Sequence, residues 1–161
     1  MTEELTTGER GGAPRRPRRG VALLAILLMT FMETLDGTIV NVALPTMQAE
    51  LGVGATEIQL VASVFLVTTC AFLLVFGRLG DIVGKVRVFQ AGVVLFTAGS
   101  ALCALSATLP MLVASRAVQA LGVACSLANN QGIITELFAD GRGRALGLVA
   151  TFTALGAMAG P

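Results

Sequence analysis

Two carboxylates, Glu33 and Asp36, lie three residues apart inside an apolar run that is otherwise long enough to cross a bilayer. An ionisable side chain in hydrocarbon costs about 2.5 to 3.5 kcal/mol on insertion scales, so it usually faces a cavity or a charged partner. A carboxylate placed there can take up and release a proton as its surroundings change between dry and wet. A static ion pair that holds two helices in register is the alternative. The stretch from Glu33 to Pro45 is therefore the first candidate site.

Arg116 is the cation that matches these acids in depth. Counted at about 1.5 Å per residue from the predicted helix ends, Asp36 lies about 8 Å and Arg116 about 9 Å from the same edge of the hydrocarbon core. Glu33 is one turn deeper, on nearly the same helix face as Asp36. This spacing predicts that Arg116 pairs with an acid and changes its proton affinity by approaching or leaving. Snorkelling of the long side chain to the interface is the alternative for Arg116 alone.

The composition around these residues is that of a membrane protein. Of the 161 residues, 55% are hydrophobic and 13% are charged, and the mean hydropathy is +0.82. A net charge of +1 gives no support to nucleic-acid binding, and histidine is absent. Cys70, Cys103 and Cys125 are odd in number, lack CxxC spacing and lie in apolar runs, so they indicate small packing residues. Neither a metal site nor an enzyme active site is predicted.

Five apolar segments must position the charged side chains. Each of the first four has about the 20 residues that a helix needs to cross the hydrocarbon core, and the fifth runs to the last residue of the sequence. Residues 1–20, with Pro, Gly and five arginines, cannot bury a core, and a disordered basic tail is predicted there. The predicted helices are 21–43, 58–76, 88–109, 111–134 and 145–161.

The distribution of cations predicts the orientation of the helices. Short cytoplasmic loops retain Lys and Arg, whereas translocated loops are poor in both. The loops around residues 45–57 and 110 have no Lys or Arg, so they are predicted to face outwards. The N-terminus is predicted to be cytoplasmic, together with the loops after the second and fourth segments. Those two loops carry Arg78, Lys85 and Arg87, and Arg142 and Arg144.

The loop after the second segment also carries a recognisable pattern. It reads GRLGDIVGKVR, from Gly77 to Arg87, with glycines suited to a tight turn and an acid flanked by cations. In its order of glycines, aspartate and lysine, it resembles the loop signature of the major facilitator superfamily.

Three further motifs extend this resemblance. LDGTIVNVALP, from Leu35 to Pro45, resembles the first-helix signature of the fourteen-helix drug:proton antiporters of that superfamily. LVASRAVQALG, from Leu112 to Gly122, is similar to the fourth-helix motif that holds the essential arginine of the family. Gly156-x-x-x-Gly160-Pro161 resembles the start of the fifth-helix antiporter motif. The motifs occur in the family's order and cover nearly all of the chain from residue 21.

The resemblance implies an all-α integral membrane fold. This would be the N-terminal part of a major facilitator bundle, with four full transmembrane helices and the start of a fifth. The implied function is proton-coupled efflux of small lipophilic or cationic compounds across the cell membrane by alternating access, powered by the proton gradient and needing no cofactor. The partners would be the lipid bilayer, the substrate, protons and the missing C-terminal helices of the same transporter. The alternative is a truncated, non-transporting membrane protein or a helical assembly partner.

The resemblance also implies a role for particular residues. Asp36 and Arg116 would be the proton-linked pair, with Glu33 as a neighbour whose role is open. The family's cytoplasmic-loop gate would fall on Gly77, Asp81, Gly84 and Lys85. The bend of the fifth helix would fall on Gly156, Gly160 and Pro161.

Some positions depart from the family pattern. Ile82 stands where the loop usually has arginine, and Val86 interrupts its basic run, so a weaker cytoplasmic charge network is expected. Ala120 replaces the glycine expected after Gln119, which predicts a looser helix contact. The polar run Asn129 to Gln131 has two open interpretations, a substrate path or polar residues near the cytoplasmic end of the helix.

Overall fold

The computed structural model describes residues 17–138 and 141–160, and it forms a bundle of five α-helices. The first four helices are long and apolar enough to cross a membrane. The described residues contain no strand. The predicted all-α integral membrane fold is therefore confirmed. The helices are α1 (Pro17–Leu51), α2 (Ala55–Val83), α3 (Lys85–Ala104), α4 (Leu109–Leu137) and α5 (Arg142–Ala159).

Helix α1 is longer at both ends than the apolar pattern predicts. It begins at Pro17, inside the predicted tail, because proline is tolerated in the first turn of a helix, where its missing N–H costs nothing. It also continues through Pro45 to Leu51. Proline is tolerated within transmembrane helices, since packing against neighbouring helices and local adjustments compensate for the lost hydrogen bond. The helix ends only at Gly52, whose φ of 63° breaks the helical path. Residues 1–16 of the predicted tail lie outside the described residues.

The segment from Gly77 to Arg87, predicted as a short cytoplasmic loop, is mostly helical. Helix α2 runs to Val83, so Gly77, Gly80 and Asp81 lie on its last turns. The connection to α3 is the single residue Gly84, whose φ of 110° is a conformation that side chains rarely permit. Gly84 alone among these glycines therefore makes the turn.

Helix α4 is the central element of the bundle, and about half of its residues are buried. Its closest neighbour is α3, where glycines let the two backbones meet. A Cβ at Gly99 would lie 2.6 Å from the Cα of Gln119, and one at Gly92 would lie 2.7 Å from the Cβ of Cys125. Small residues on facing helices allow such approach in a membrane, where van der Waals packing drives association.

Two apolar clusters fill the bundle on either side of a polar middle. One packs around Ile26, Phe89 and Ile134, towards the end where α1 begins. The other packs around Ile58, Val61 and Leu112, towards the opposite end. The outer surface is also apolar, and its exposed side chains match a lipid environment rather than water. Examples are Leu66, Leu74, Ile82, Val94 and Met158.

Candidate functional site

Asp36 and Arg116 form an ion pair between α1 and α4. The Arg116 guanidinium donates through Nη1 to Asp36 Oδ2 at 2.7 Å. The Arg116 side chain is 4% exposed, and that of Asp36 is 21% exposed. The sequence analysis placed these two residues at similar distances from the same edge of the hydrocarbon core. The Arg116 side chain is buried in the bundle and does not extend to an interface.

Gln119 completes this pair and was not singled out from the sequence. Its Nε2 donates to Asp36 Oδ1 at 2.8 Å, and its Oε1 accepts from Arg116 Nη1 at 2.6 Å. The same Nε2 donates to Ser100 Oγ at 2.8 Å, which ties α3 to the network. Gln119 is fully buried, so its amide is committed to these partners. The feature of the sequence that could have revealed Gln119 is its spacing of three residues from Arg116, because this spacing places both side chains on one helix face.

An aromatic ring shields the remaining face of Arg116. The guanidinium carbon lies 4.3 Å from the centroid of the Phe65 ring, which belongs to α2. A cation over an aromatic face is attracted by about 2 kcal/mol or more when both are desolvated. The Nε of Arg116 is buried and has no hydrogen-bond partner in the described part of the chain. Arg116 is thus held by α1, α2 and its own helix, while its buried Nε donor is unsatisfied.

Glu33 lies one turn along α1 from this network, in a separate polar contact with α4. Ser126 Oγ donates to Glu33 Oε1. Beyond it, Asn130 Nδ2 donates to Thr30 Oγ1 at 3.3 Å. Within residues 17–138 and 141–160, Glu33 has no ion-pair partner. The structure therefore places the two acids on one face of α1, but only Asp36 forms an ion pair with Arg116.

A cavity of about 290 Å³ opens beside the ion pair, between the first four helices. Asp36 and Arg116 line one part of it, together with Ser100 and Cys103 of α3. Its other walls are apolar. The acid is therefore both paired and in contact with an open space, as expected of an ionisable side chain within a membrane.

The second candidate cluster lies where α2, α3 and α4 meet at the end of the bundle near the start of α1. Lys85 Nζ lies 3.4 Å from Asp81 Oδ1 and 2.5 Å from Glu136 Oε1. The acids are more than half exposed, so each pair contributes little to stability. Glu136 was missed in the sequence because it lies 51 residues from Lys85. Gly77 borders Ala128 of α4 but does not join the charge cluster.

Asn129 joins α2 to α4 at the same end. Its Nδ2 donates to Phe76 O at 3.2 Å and to Cys125 O at 2.9 Å, and the residue is 1% exposed. A Cβ at Gly80 would collide with the Asn129 side chain. Asn129 therefore packs between helices, while Gln131 is exposed. This contact between helices is neither of the two interpretations that the sequence left open for the polar run.

The glycines of α5 pack on α1. A Cβ at Gly156 would lie 2.8 Å from Phe31 O, and one at Gly160 would collide with the Thr38 side chain. Thr38 Oγ1 also lies 3.5 Å from Gly156 O. Gly156 and Gly160 thus bring α5 against the part of α1 that carries the two acids. Pro161, the last residue of the predicted bend, lies outside the described residues.

The fold and this site define a polytopic helical membrane protein whose first and fourth helices share a buried acid–cation pair. Residues 26–161 match the Major Facilitator Superfamily. Because the match covers most of the sequence, the chain belongs to this family of transporters. The members of this family are transporters rather than enzymes, and the four long apolar helices agree with a multi-pass membrane protein.

Individual relatives agree with this assignment. The "Riboflavin transporter RibZ" of Clostridioides difficile is 37% identical over 145 residues, which are 89% of this chain and 32% of that protein. The "Probable actinorhodin transporter" of Streptomyces coelicolor is 38% identical over 155 residues, 96% of this chain and 27% of that protein. The "Putative multidrug resistance protein MdtD" of Serratia proteamaculans is 50% identical over 92 residues, 57% of this chain and 19% of that protein. The chain spans about a third or less of the length of these relatives.

Proposed function

We propose that this chain is part of a proton-coupled efflux transporter of the fourteen-helix drug:proton antiporter type. The observation that carries the proposal is the network of Asp36, Arg116 and Gln119, buried in the membrane yet bordering a cavity. A charged acid in such a place is costly, so its presence supports a function that uses the charge. The proton gradient would be the energy source, with no cofactor.

The network links protonation to helix arrangement. With Asp36 ionised, the acid and Arg116 neutralise each other, and Gln119 bonds to both. When Asp36 accepts a proton, Arg116 remains as an uncompensated cation in a low-dielectric site, which is strongly unfavourable. That cost is relieved when α1 and α4 shift relative to each other, or when substrate or water reaches Arg116. Proton binding therefore favours a different arrangement of the helices.

The substrates of this transporter are small lipophilic or cationic compounds. The drug-antiporter motif of α1 supports this, as does the relative named for multidrug resistance. Glu33 adds a second carboxylate on the same helix face, which can offset a bound cation. Transport sites lie between repeats near the midplane, so the other wall of the site belongs to further helices of the same transporter.

The remaining motif residues form a gate at the junction of α2 and α3 and a bend in α5. Gly84 makes the turn between α2 and α3, while Asp81 and Lys85 form the charged cluster beside it. With the N-terminus in the cytoplasm, this cluster lies on the cytoplasmic side, where alternating access would open and close it. Gly156 and Gly160 hold α5 against α1. A bend in α5 would therefore displace the part of α1 near Asp36.

Transport in inverted membrane vesicles tests the proposal, with the chain in its complete reading frame. An imposed proton gradient should drive uptake of ethidium, a lipophilic cation, and Asp36→Asn should abolish the gradient-driven part. The matched control is Glu50→Gln, which neutralises an exposed acid on the same helix. Transport by Asp36→Asn equal to that of the Glu50→Gln control would show that the proton role is wrong. An absence of gradient-driven uptake with the unmodified sequence would instead favour a non-transporting membrane protein.

A further inference from the structure

The cavity beside Asp36 extends to only one end of the bundle. Met47 lines it eleven residues beyond Asp36 on α1, which is about 16 Å along the helix axis. Ala104 is the last residue of α3, and Leu112 lies in the first turn of α4. All three lie at the end of the bundle remote from the start of α1, where the loops have no Lys or Arg.

Four of the residues that line this cavity are polar. They are Asp36, Arg116, Ser100 and Cys103, whereas Val61 and the other lining residues are apolar. Arg116 Nε is buried without a hydrogen-bond partner among the described residues. A buried donor in this condition costs about 1 to 3 kcal/mol unless water or a ligand satisfies it. Arg116 Nε is thus an unsatisfied donor on a residue that lines the polar part of the cavity.

Water fits this space in both size and chemistry. A cavity of about 290 Å³ is far larger than the roughly 10 to 15 Å³ that one water centre needs. Buried water requires two or more polar partners, and the carboxylate, guanidinium and hydroxyl supply them. The apolar walls would not retain water tightly, so it can exchange along them. The titratable or charged groups that the packed helices place here are Arg116 from α4 and Cys103 from α3.

We propose that this cavity is a water-filled proton-access vestibule, which lets Asp36 exchange protons with the outer side from within this bundle. The route is separate from the substrate path between the two halves of the transporter. The inference rests on the function proposed above, and it specifies the route by which protons from the outer side reach Asp36. With the N-terminus in the cytoplasm, the end that carries Met47 and Ala104 faces outwards.

Cys103 provides a direct test, because its thiol lines the vestibule next to the polar network. In the full-length protein, every cysteine other than Cys103 is replaced by alanine. The cationic, membrane-impermeant reagent MTSET is added to right-side-out or to inverted vesicles. Thiols that remain free are counted with a fluorescent maleimide after denaturation. Thiol modification depends on access, so the vestibule predicts a reaction about tenfold faster from the outer side than from the inner side.

A matched variant that keeps only Cys125 serves as the control, because Cys125 is 2% exposed and does not line the cavity. Cys125 should stay unmodified from either side. A second variant, Ala104→Phe, fills the outer part of the vestibule and should slow both the Cys103 reaction and proton-driven transport. Equal Cys103 rates from the two sides, or a rate no greater than that of Cys125, would overturn the vestibule.

The two proposals fail in different ways. If Asp36→Asn abolishes gradient-driven transport but Cys103 does not react from outside, the proton role of Asp36 stands and the vestibule is wrong. If Cys103 reacts from outside but Asp36→Asn transports normally, the cavity is hydrated and the proton role is wrong. In that second case the vestibule does not serve proton access either.

Discussion

Gln119 shows what one neutral side chain contributes to a charged pair in a membrane. It donates to the acid and accepts from the cation, and thereby fixes the distance between α1 and α4. Without it, each of the two charged groups would lose one hydrogen-bond partner. Hydrogen bonds to charged groups contribute about 1.5 to 3 kcal/mol each, more than neutral ones.

Replacing Gln119 by leucine should therefore disturb proton coupling rather than folding alone. The change removes the bonds to both members of the ion pair and to Ser100. We expect gradient-driven transport to fall by about tenfold or more, since one lost hydrogen bond of this kind exceeds 1.4 kcal/mol. The outer pH at which transport is half-maximal should also move. The measurement is transport in vesicles across a series of outer pH values.

Gln131→Leu is the control for this prediction, because it makes the same substitution on the same helix at an exposed position. Its transport should keep the pH profile of the unmodified protein. If the pH profile of transport by Gln119→Leu is the same as that of Gln131→Leu, Gln119 has no role in proton coupling.

At the residue scale, the pairing of Asp36 with Arg116 could be predicted from the sequence, whereas the hydrogen bonds of Gln119 could not. The rise per residue placed Asp36 and Arg116 at one level, and the structure gives them a 2.7 Å ion pair. The bonds of Gln119 to α1 and α3 depend on how closely α3 and α4 approach. That approach is set by glycines on two helices, and no local pattern reveals which of them face each other.

At the element scale, the contact between α3 and α4 holds the site together. Gly99 lies where a side chain would strike the Gln119 backbone, so the two helices meet behind the residue that bonds to Asp36. The alanine at position 120 is fully buried, and Thr69 Oγ1 of α2 lies 3.5 Å from its carbonyl. The contact near Ala120 is therefore close, although glycine was expected there.

Gly99→Ala should destabilise the protein. The added methyl would lie 2.6 Å from Gln119 Cα, and overpacking of this kind costs about 1 to 3 kcal/mol. Gly147→Ala is the matched control, since a Cβ there meets no atom within 4 Å. In the control, alanine should be neutral or stabilising by up to about 1 kcal/mol through helix propensity. Thermal unfolding in detergent compares the two, and equal melting temperatures would contradict the packing described for α3 and α4.

The charged cluster at the other end of the bundle should behave as a surface network. Lys85→Gln should lower the free energy of unfolding only slightly, since exposed ion pairs contribute about 0 to 1 kcal/mol. A double-mutant cycle between Lys85 and Glu136 measures the coupling, which should fall as salt is raised. A coupling that exceeds about 2 kcal/mol and does not change with salt would show a buried pair instead.

The helix ends show the limits of apolar patterns. Hydropathy located five helices, but it ended α1 near residue 43, because the residues that follow include Pro45 and polar side chains. It also assigned residues 77–87 to a loop, where the structure has two helices joined at Gly84. Hydropathy locates the apolar part of a helix, whereas backbone hydrogen bonding determines where the helix begins and ends.

At the scale of the whole molecule, the described bundle corresponds to only part of the length of its relatives. Its relatives are about three times as long or longer, and transport sites lie between repeats. The described helices supply a buried acid–cation pair, a cavity beside it and a charged cluster at the far end. Alternating access would move this bundle against the further helices.

The orientation of the bundle can be tested in the same full-length protein. Single cysteines at Ala107, between α3 and α4, and at Gly141, before α5, should react with impermeant reagents from opposite sides. The basic residues Arg142 and Arg144 predict that Gly141 is cytoplasmic. Reaction of Gly141→Cys from outside in intact cells would reverse the proposed topology, and with it the direction of the vestibule.

The central claim is that Asp36 carries the transported proton, and proton release on substrate binding tests it most directly. Purified full-length protein in weakly buffered detergent is mixed with tetraphenylphosphonium, a lipophilic cation, and a pH-sensitive dye reports the protons released. The unmodified protein and the Glu50→Gln control should release protons, and Asp36→Asn should release none. Proton release by Asp36→Asn equal to that of the unmodified protein would contradict the account.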